Sequence, residues 1–378
     1  MGGPFIALMN KEFTELFRDV ALLFILLWAF TGAIFTAGHG ISLEVYNYPT
    51  IIYDLSKSYE SRELISRFQK PYFKILDYVK NENELIYYLD SGKASMAIII
   101  PSNFHRIANN ASMQAKLQVI TDGTLSMSAT IAIAYISTIA STYSIEILEK
   151  RNKLINPLNI SLPFIDERTR VEFNPNILSS WFSSLLELLN MLTMVSMLLA
   201  AAAMVREKEF GTIEQLMVTP AKVYEIFFSK ILANLIVILF FSFFSIFLII
   251  KPIFNVPIRG NLLFFYLIAA LYVFTIESLG ILIAIIANNL SQTIMLVLLI
   301  LAPMLFLSGA WTPPEAMSEW MQYLSLISPM RYFIDFGYGV LFKGNSIVYV
   351  WQDILGIFII GGSLFTFSLI WFSKKYAK

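Results

Sequence analysis

The run LLFFYLIAALYVFTIESLGILIAIIA, Leu262 to Ala287, contains one charged side chain, Glu277, in an otherwise uncharged and mostly apolar sequence. About 20 consecutive apolar residues in helical form cross a bilayer core. This run is long enough to do so, and water would solvate it poorly. The whole chain of 378 residues reads the same way, with 57% hydrophobic and 14% charged side chains and a mean hydropathy of +0.66. Soluble domains carry about a quarter charged residues. The 27 basic and 27 acidic side chains leave no basic excess to neutralise phosphates, which argues against nucleic acid as a partner. The absence of cysteine removes disulfides, thiolate zinc sites, iron–sulfur clusters and cysteine nucleophiles.

Working outward, five further runs are expected to span: Val20 to Ala37, Leu178 to Ala203, Tyr224 to Ile250, Leu290 to Leu307 and Ile347 to Phe372. Ahead of the first, Phe5, Leu8, Met9, Phe13 and Leu16 fall on one helical face, so residues 1–19 read as an interfacial amphipathic helix. Leu125 to Ile145 is also uncharged. It is rich in hydroxyls (Ser126, Ser128, Thr130, Ser137, Thr138, Ser141, Thr142, Ser144), while Ala132, Ile136, Ile139, Tyr143 and Ile147 form the stripe of a helix packed on a soluble core. The expected fold is therefore an α-helical polytopic membrane protein with six transmembrane helices.

Six spans put both termini on one side. Lys11, Arg18, Arg206, Lys208, Lys222, Lys230, Lys374, Lys375 and Lys378 then outnumber Lys251, Arg259, Arg331 and Lys343 of the opposite short loops. The positive-inside rule makes the first side cytoplasmic. The expected location is the cell inner membrane, multi-pass, with a cytoplasmic tail at 374–378. The first span lacks a convincing small-residue cleavage site and is expected to remain as an anchor.

Residues 38–177 are then external. Short extended runs alternate there with amphipathic helices: Thr50 to Tyr53, Ser61 to Gln69, Tyr72 to Tyr78, Glu82 to Asp90, Ala94 to Ile100, Asn103 to Ala108, Lys116 to Thr121, and a long helix over 125–151. That order predicts an inserted external α/β domain. Ser91-Gly92-Lys93-Ala94-Ser95 fails as a phosphate loop, because Tyr87 stands at the first glycine position and Ala94 follows the lysine. His39 and His105 have no ligand-spaced partners, and the sequons at Asn110 and Asn159 are short enough to arise by chance. No hydrolase spacing occurs, so the chain is expected to be no enzyme, with no catalytic, cofactor-binding or metal residues of its own.

The most specific stretch runs Val205-Arg206-Glu207-Lys208-Glu209-Phe210-Gly211-Thr212-Ile213-Glu214-Gln215-Leu216-Met217-Val218-Thr219-Pro220. Gly211 ends one helix, Thr212 with Gln215 forms a capping box for the next, and Pro220 opens a third. The short helix Ile213 to Val218 reads either as a plain interhelical turn or as a lever for a cytoplasmic partner. With Phe173-Asn174-Pro175, Asp122-Gly123-Thr124, Leu307-Ser308-Gly309-Ala310-Trp311-Thr312-Pro313-Pro314 and Ser328-Pro329-Met330-Arg331-Tyr332, it makes nearly the whole chain resemble the ABC type-2 export permease family. Two departures from the family pattern are Phe210, where a polar or basic residue is usual, and the absence of a Pro-Gly pair after Trp181.

The resemblance implies the transmembrane subunit of an ATP-driven exporter. It would pair with a second permease copy or a related permease and with a cytoplasmic ABC ATPase subunit, which holds the ATP and magnesium. A periplasmic adaptor is compatible with it. Within the coupling segment 205–222, Glu207, Glu209, Gly211, Thr212, Glu214, Leu216 and Met217 would carry the ATPase contact, the carboxylates meeting basic residues and Leu216 and Met217 serving as apolar anchors. The segment 309–337 would form outer re-entrant helices with Trp311, Pro313, Trp320, Pro329, Arg331 and Tyr332. The prolines there break helicity and the aromatics suit an interface on sequence grounds alone.

Glu187 and Glu277 lie inside apolar runs, which costs a few kcal/mol each if they face lipid. With Asn190, one turn from Glu187, and Asn234, they form either a polar translocation path or a structural hydrogen-bonded seam. A proton-coupled secondary transporter would use the two glutamates as carriers, but the chain shows no paired inverted repeat. A non-transporting envelope receptor on the same scaffold would have no need of the segment after Val205. Lipid, drug, polysaccharide and peptide substrates all remain compatible.

Overall fold

A computed structural model describes residues 3–40, 45–108, 115–121, 126–155, 174, 178–213, 222–312 and 314–376. Outside them lie Asn110, Asp122-Gly123-Thr124, Asn159, Phe173, Pro175, Pro313, and Glu214 to Pro220, which includes Gln215, Leu216 and Met217.

In chain order the elements are α1 (Gly3–Arg18), α2 (Val20–Phe30), α3 (Gly32–Gly40), β1 (Tyr48–Asp54), α4 (Tyr59–Ile65), β2 (Phe73–Tyr78), α5 (Glu82–Asp90), β3 (Met96–Ile100), α6 (Phe104–Ala108), β4 (Gln118–Thr121), α7 (Ser126–Ile155) and α8 (Ser179–Glu209). There follow α9 (Val223–Ser245), which runs through a π-turn (Ile246–Ile250) into α10 (Lys251–Phe254), then α11 (Leu262–Ile286), α12 (Leu290–Phe306), a 3₁₀ turn (Pro314–Ala316), α13 (Glu319–Ser325), α14 (Pro329–Leu341) and α15 (Ile347–Tyr376). The chain divides into two compact units, one of residues 1–41 with 171–378 and one of residues 42–170.

The first unit is an all-helical bundle centred on α11. Gly280 lets α11 approach the backbone of α8 so closely that a Cβ there would lie 2.5 Å from the Met197 carbonyl oxygen. On its other flank, Thr275 fills the place of a side chain at Gly361 of α15 and donates to the Ile357 carbonyl at 3.3 Å, while Ser368 donates to the Ser278 carbonyl at 3.2 Å. Small residues and hydroxyls at helix contacts suit a bilayer, where lipid gives apolar side chains no reason to cluster. Tyr272 bonds Thr193 at 2.7 Å and stacks on Phe333 of α14, ring centroids 3.8 Å apart.

Among the described residues six helices are long and apolar enough to cross a membrane: Val20–Gly40, Ser128–Ile147, Ser179–Glu209, Val223–Phe254, Leu262–Ile286 and Ile347–Tyr376. Five coincide with expected spans, and the first is interrupted at Thr31. The expected span Leu290 to Leu307 is the 17-residue α12, about 26 Å long at ~1.5 Å per residue. It falls at the short end of the spanning range of about 17–25 residues. The additional helix, Ser128–Ile147, is the amphipathic stretch read from the sequence as packing on a soluble core. In the structure it belongs to the second unit, where Ala132, Ile136 and Tyr143 are buried in that unit's core.

That second unit is built on a four-stranded sheet of order β2-β1-β3-β4, with β1 parallel to β2 and β3, and β4 antiparallel to β3. Successive strand residues face opposite sides: Ile52 joins Ile98 and Ile100 against α7, whereas Ile51 joins Ala97 and Leu85 on the α5 side. α4 begins two residues earlier than the sequence suggested, because Ser58 and Ser61 close a reciprocal capping box at 3.1 and 3.0 Å. The charged half of α7 is tied in by Arg67 to Glu146 at 2.6 Å and Lys150 to Glu63 at 2.9 Å.

Candidate functional site

At the end of the bundle that carries α1, four consecutive residues of α8 each engage a different element. Arg206 pairs with Asp19 at 3.4 Å, and Asp19 in turn caps α2 by accepting from the Leu22 amide at 3.1 Å. Glu207 turns inward. The Lys230 ammonium of α9 donates to it at 3.0 Å and to Glu12 of α1 at 2.6 Å, and Lys11 donates to the same Glu207 oxygen. Lys208 donates to the terminal carbonyls of α11, reaching Ala284 at 2.9 Å, and Lys375 of α15 joins it at Ile285, 2.7 Å away. Glu209 accepts from the Leu290 amide at 2.8 Å, the first residue of α12. Cations on a helix C-terminus and a carboxylate on an N-terminus satisfy the groups that those ends leave unpaired. Residues on successive helical positions point about 100° apart, which is how one turn of α8 reaches so many neighbours.

The centre of this arrangement is sealed. Lys230, Glu12 and Glu207 are 2%, 5% and 5% exposed. A pair removed from water this thoroughly needs close geometry to repay its desolvation, and here three carboxylates, Glu12, Glu15 and Glu207, converge within 4.8 Å around two ammonium groups. Burial disfavours the charged form of Lys11, but its bond to Glu207 and the charges of Glu12, Glu207 and Glu15 outweigh this and hold its pKa above the ordinary lysine value. The two lysines satisfy the carboxylates as an internal ion network, so no metal is required to explain the cluster.

Glu207 is buried, and its carboxylate is engaged within the chain by Lys11, Lys230 and Thr212. Glu209 likewise spends one oxygen on the start of α12. Thr212 donates to both the Glu207 carboxylate and the Glu207 carbonyl, the latter at 3.2 Å. The expected Thr212–Gln215 capping box and the apolar anchors Leu216 and Met217, with Glu214, fall outside the described residues. Gly211 does end α8, at φ +67°, a left-handed conformation suited to glycine. Phe210 beside it is 78% exposed. Sequence reasoning missed Lys11, Glu12 and Lys230 as members of this site. The only signal was three charges within otherwise apolar helical faces.

Between α1, the start of α2 and α8 lies a cavity of about 690 Å³, bordered by Lys11, Glu15, Arg18, Arg206 and Phe210 and reaching Asn234 of α9 at its inner end. Asn234 faces Glu277 of α11. Glu277 is fully buried, and among the described residues neither its oxygens nor the Asn234 amide nitrogen closes a hydrogen bond. Glu187 and Asn190 form a separate pair on α8, the amide donating at 3.4 Å. The four polar intramembrane candidates therefore come together two by two.

At the opposite end, Arg331 donates to Ser325 and to the Gln322 carbonyl, and Tyr332 donates to the Leu326 carbonyl at 2.9 Å, folding α13 back on the start of α14. Pro329 occupies the first turn of α14. Trp311, Trp320 and Tyr323 are 48%, 64% and 74% exposed. Ahead of α8, Asn174 clamps Leu178 through both side-chain groups, each at 3.0 Å.

Comparison with known proteins agrees with this architecture. The family model described as ABC-2 family transporter protein matches residues 20–370. The chain is 32% identical over 364 residues to the inner membrane transport permease YhhJ of Escherichia coli (strain K12), covering 96% of this chain and 95% of that protein. It is 30% identical over 370 residues to the probable multidrug ABC transporter permease YbhR of the same organism, covering 97% and 98%. With the probable multidrug ABC transporter permease YbhS it shares 27% identity over 300 residues, 78% of this chain and 76% of that one. A bundle of apolar helices whose charged α8 terminus gathers its neighbours, together with the family match over residues 20–370 and the match to YhhJ over 96% of the chain, places the chain in the ABC-2 family of transporter proteins as one of its permeases.

Proposed function

We propose that this permease is the membrane half of an ATP-driven exporter of the inner membrane, pairing with a second permease and with cytoplasmic ATPase subunits that dock on the segment after Gly211. The observation that carries this is the four-way engagement of Arg206, Glu207, Lys208 and Glu209. A force applied just beyond Gly211 reaches α1, α2, α9, α11 and α12 through hydrogen bonds and ion pairs. Exposed Phe210, with Glu214, Leu216 and Met217, would meet the ATPase; Glu207 acts from inside, holding the end of α8 in place.

On this reading both termini are cytoplasmic, residues 42–170 form an inserted external α/β domain, and the segment 309–337 is re-entrant at the outer face. Glu187, Asn190, Asn234 and Glu277 would line the path. Two relatives are named as probable multidrug permeases, which favours drugs as the substrate class. Catalysis, ATP and magnesium would belong to the partner subunit.

The test is co-purification with a cytoplasmic ABC ATPase subunit, followed by substrate-stimulated ATP hydrolysis in liposomes. Glu214→Lys is expected to weaken assembly or uncouple hydrolysis from transport while insertion stays normal. Unchanged binding and coupling in that variant and in Leu216→Asp would leave the segment a plain interhelical turn. Orientation is checked on the naturally cysteine-free chain: a cysteine at Asn110 should react with an impermeant maleimide in intact cells, and one at Phe210 only after permeabilisation.

A further inference from the structure

The sheet unit contains a cavity that the transport reading does not use. It has a volume of about 970 Å³, at the upper end of the roughly 300–1,000 Å³ typical of small-molecule sites. It lies beyond the carboxyl ends of the parallel strands β1 and β2, at Tyr53, Asp54 and Tyr78, and is closed on one side by α4. The carboxyl ends of the strands are the side of an open parallel sheet on which ligands bind.

Its chemistry is divided. The floor is apolar, formed by Ile65, Phe68, Ile75 and Val79. The mouth carries three cations, Lys57, Arg62 and Lys80. None of the three has a carboxylate within ion-pairing distance among the described residues, although each is solvent-exposed. Arg62 donates to the Lys57 carbonyl at 3.4 Å, which holds its guanidinium across the opening. The one acid at the mouth, Asp54, is already committed to the amides of Ser56 and Lys57 at 2.9 and 3.0 Å and to the Ser61 hydroxyl at 2.7 Å. Of the acids beside Lys80, Glu84 accepts from the Lys80 backbone amide at 2.9 Å and Asp77 is held by the Tyr88 hydroxyl at 2.8 Å.

We propose that this cavity binds an amphipathic organic anion, its aromatic or alkyl body on the Ile65–Phe68–Val79 floor and its carboxylate, sulfonate or phosphate between Lys57, Arg62 and Lys80. A desolvated apolar body supplies area-dependent attraction, and a charged head adds charge-assisted hydrogen bonds with a fixed direction. The site lies within residues 53–80 and requires neither an ATPase nor translocation, so it stands or falls independently of the exporter reading.

The experiment uses the full chain in nanodiscs and naphthalene-2-sulfonate as probe, followed by isothermal titration against empty nanodiscs. One saturable site per chain is expected. Lys57→Asn with Lys80→Gln should weaken it about tenfold; asparagine is chosen because Lys57 sits at φ +48°. Ser66→Trp, which fills the mouth from α4, should abolish it, and Lys93→Ala, outside the cavity, should bind as the parent does. Thermal unfolding of each variant confirms that it is folded. No saturable binding by the parent overturns the assignment. So does equal affinity for inorganic sulfate, which would make this a bare anion site, or for uncharged 2-naphthol, which would make it a plain apolar cleft.

Discussion

Lys230 of α9 and Glu207 of α8 face each other at 3.0 Å with side chains only 2% and 5% exposed, and Glu12 of α1 shares the same ammonium at 2.6 Å. Three helices far apart in sequence therefore meet on one buried cation. Removing either partner has unequal consequences, because Lys230 serves two carboxylates whereas Glu207 leaves its lysines with other acids.

Lys230→Met should accordingly be the more damaging change. It strands Glu12 and Glu207 with only the half-exposed Lys11, at a cost of about 3–5 kcal/mol. Glu207→Gln leaves Lys230 with Glu12 and Lys11 with Glu15, at about 1 kcal/mol. Thermal unfolding of the detergent-purified protein measures both, and equal losses would show that the network does not hold α1 to the bundle.

Phe210→Asp separates stability from assembly. With its ring 78% exposed, the substitution should change unfolding by no more than about 0.5 kcal/mol and reduce ATPase pull-down. A loss of stability without a loss of binding would remove Phe210 from the proposed interface.

Two adjacent glycines of α15 provide an internal control. A Cβ at Gly361 would meet the Thr275 hydroxyl at 2.2 Å, while one at Gly362 would find nothing within 4 Å. Gly361→Ala is expected to destabilise by about 1–3 kcal/mol through overpacking. Gly362→Ala should stabilise by about 0.5–1 kcal/mol through helix propensity. The melting temperatures of the two variants should move in opposite directions.

Glu277 tests the polar path. Leucine at this position removes a buried carboxyl whose oxygens close no hydrogen bond among the described residues, and Glu277→Leu should raise stability by about 1–3 kcal/mol while lowering export of a fluorescent substrate from loaded vesicles. Full transport in that variant would assign Glu277 a structural role alone.

The spanning helices were legible because the bilayer sets length and composition together, and α11 satisfies both. The amphipathic stripe of α7, Ala132, Ile136 and Tyr143, was legible because periodicity survives whatever surrounds it. The fate of Arg206, Glu207, Lys208 and Glu209 was not. In the sequence those four charges stand at the cytoplasmic end of a span as contacts on offer to an outside partner, and only the arrival of α1, α9, α11 and α12 at the same place turns them into an internal junction. Lys230 was hidden for the same reason: its value depends on Glu12, 218 positions away in the chain.

The close approach at Gly280 and Gly361 has a mechanical consequence. With Met197 backbone on one flank and Thr275 locked into α15 on the other, α8, α11 and α15 have no clearance to shear past one another. They would move as a slab. A displacement delivered at the α8 terminus would then be passed on to α11 and its Tyr272–Phe333 ring stack, while the break at Thr31 and the π-turn at Ile246–Ile250 interrupt the regular helical bonding where bending costs least.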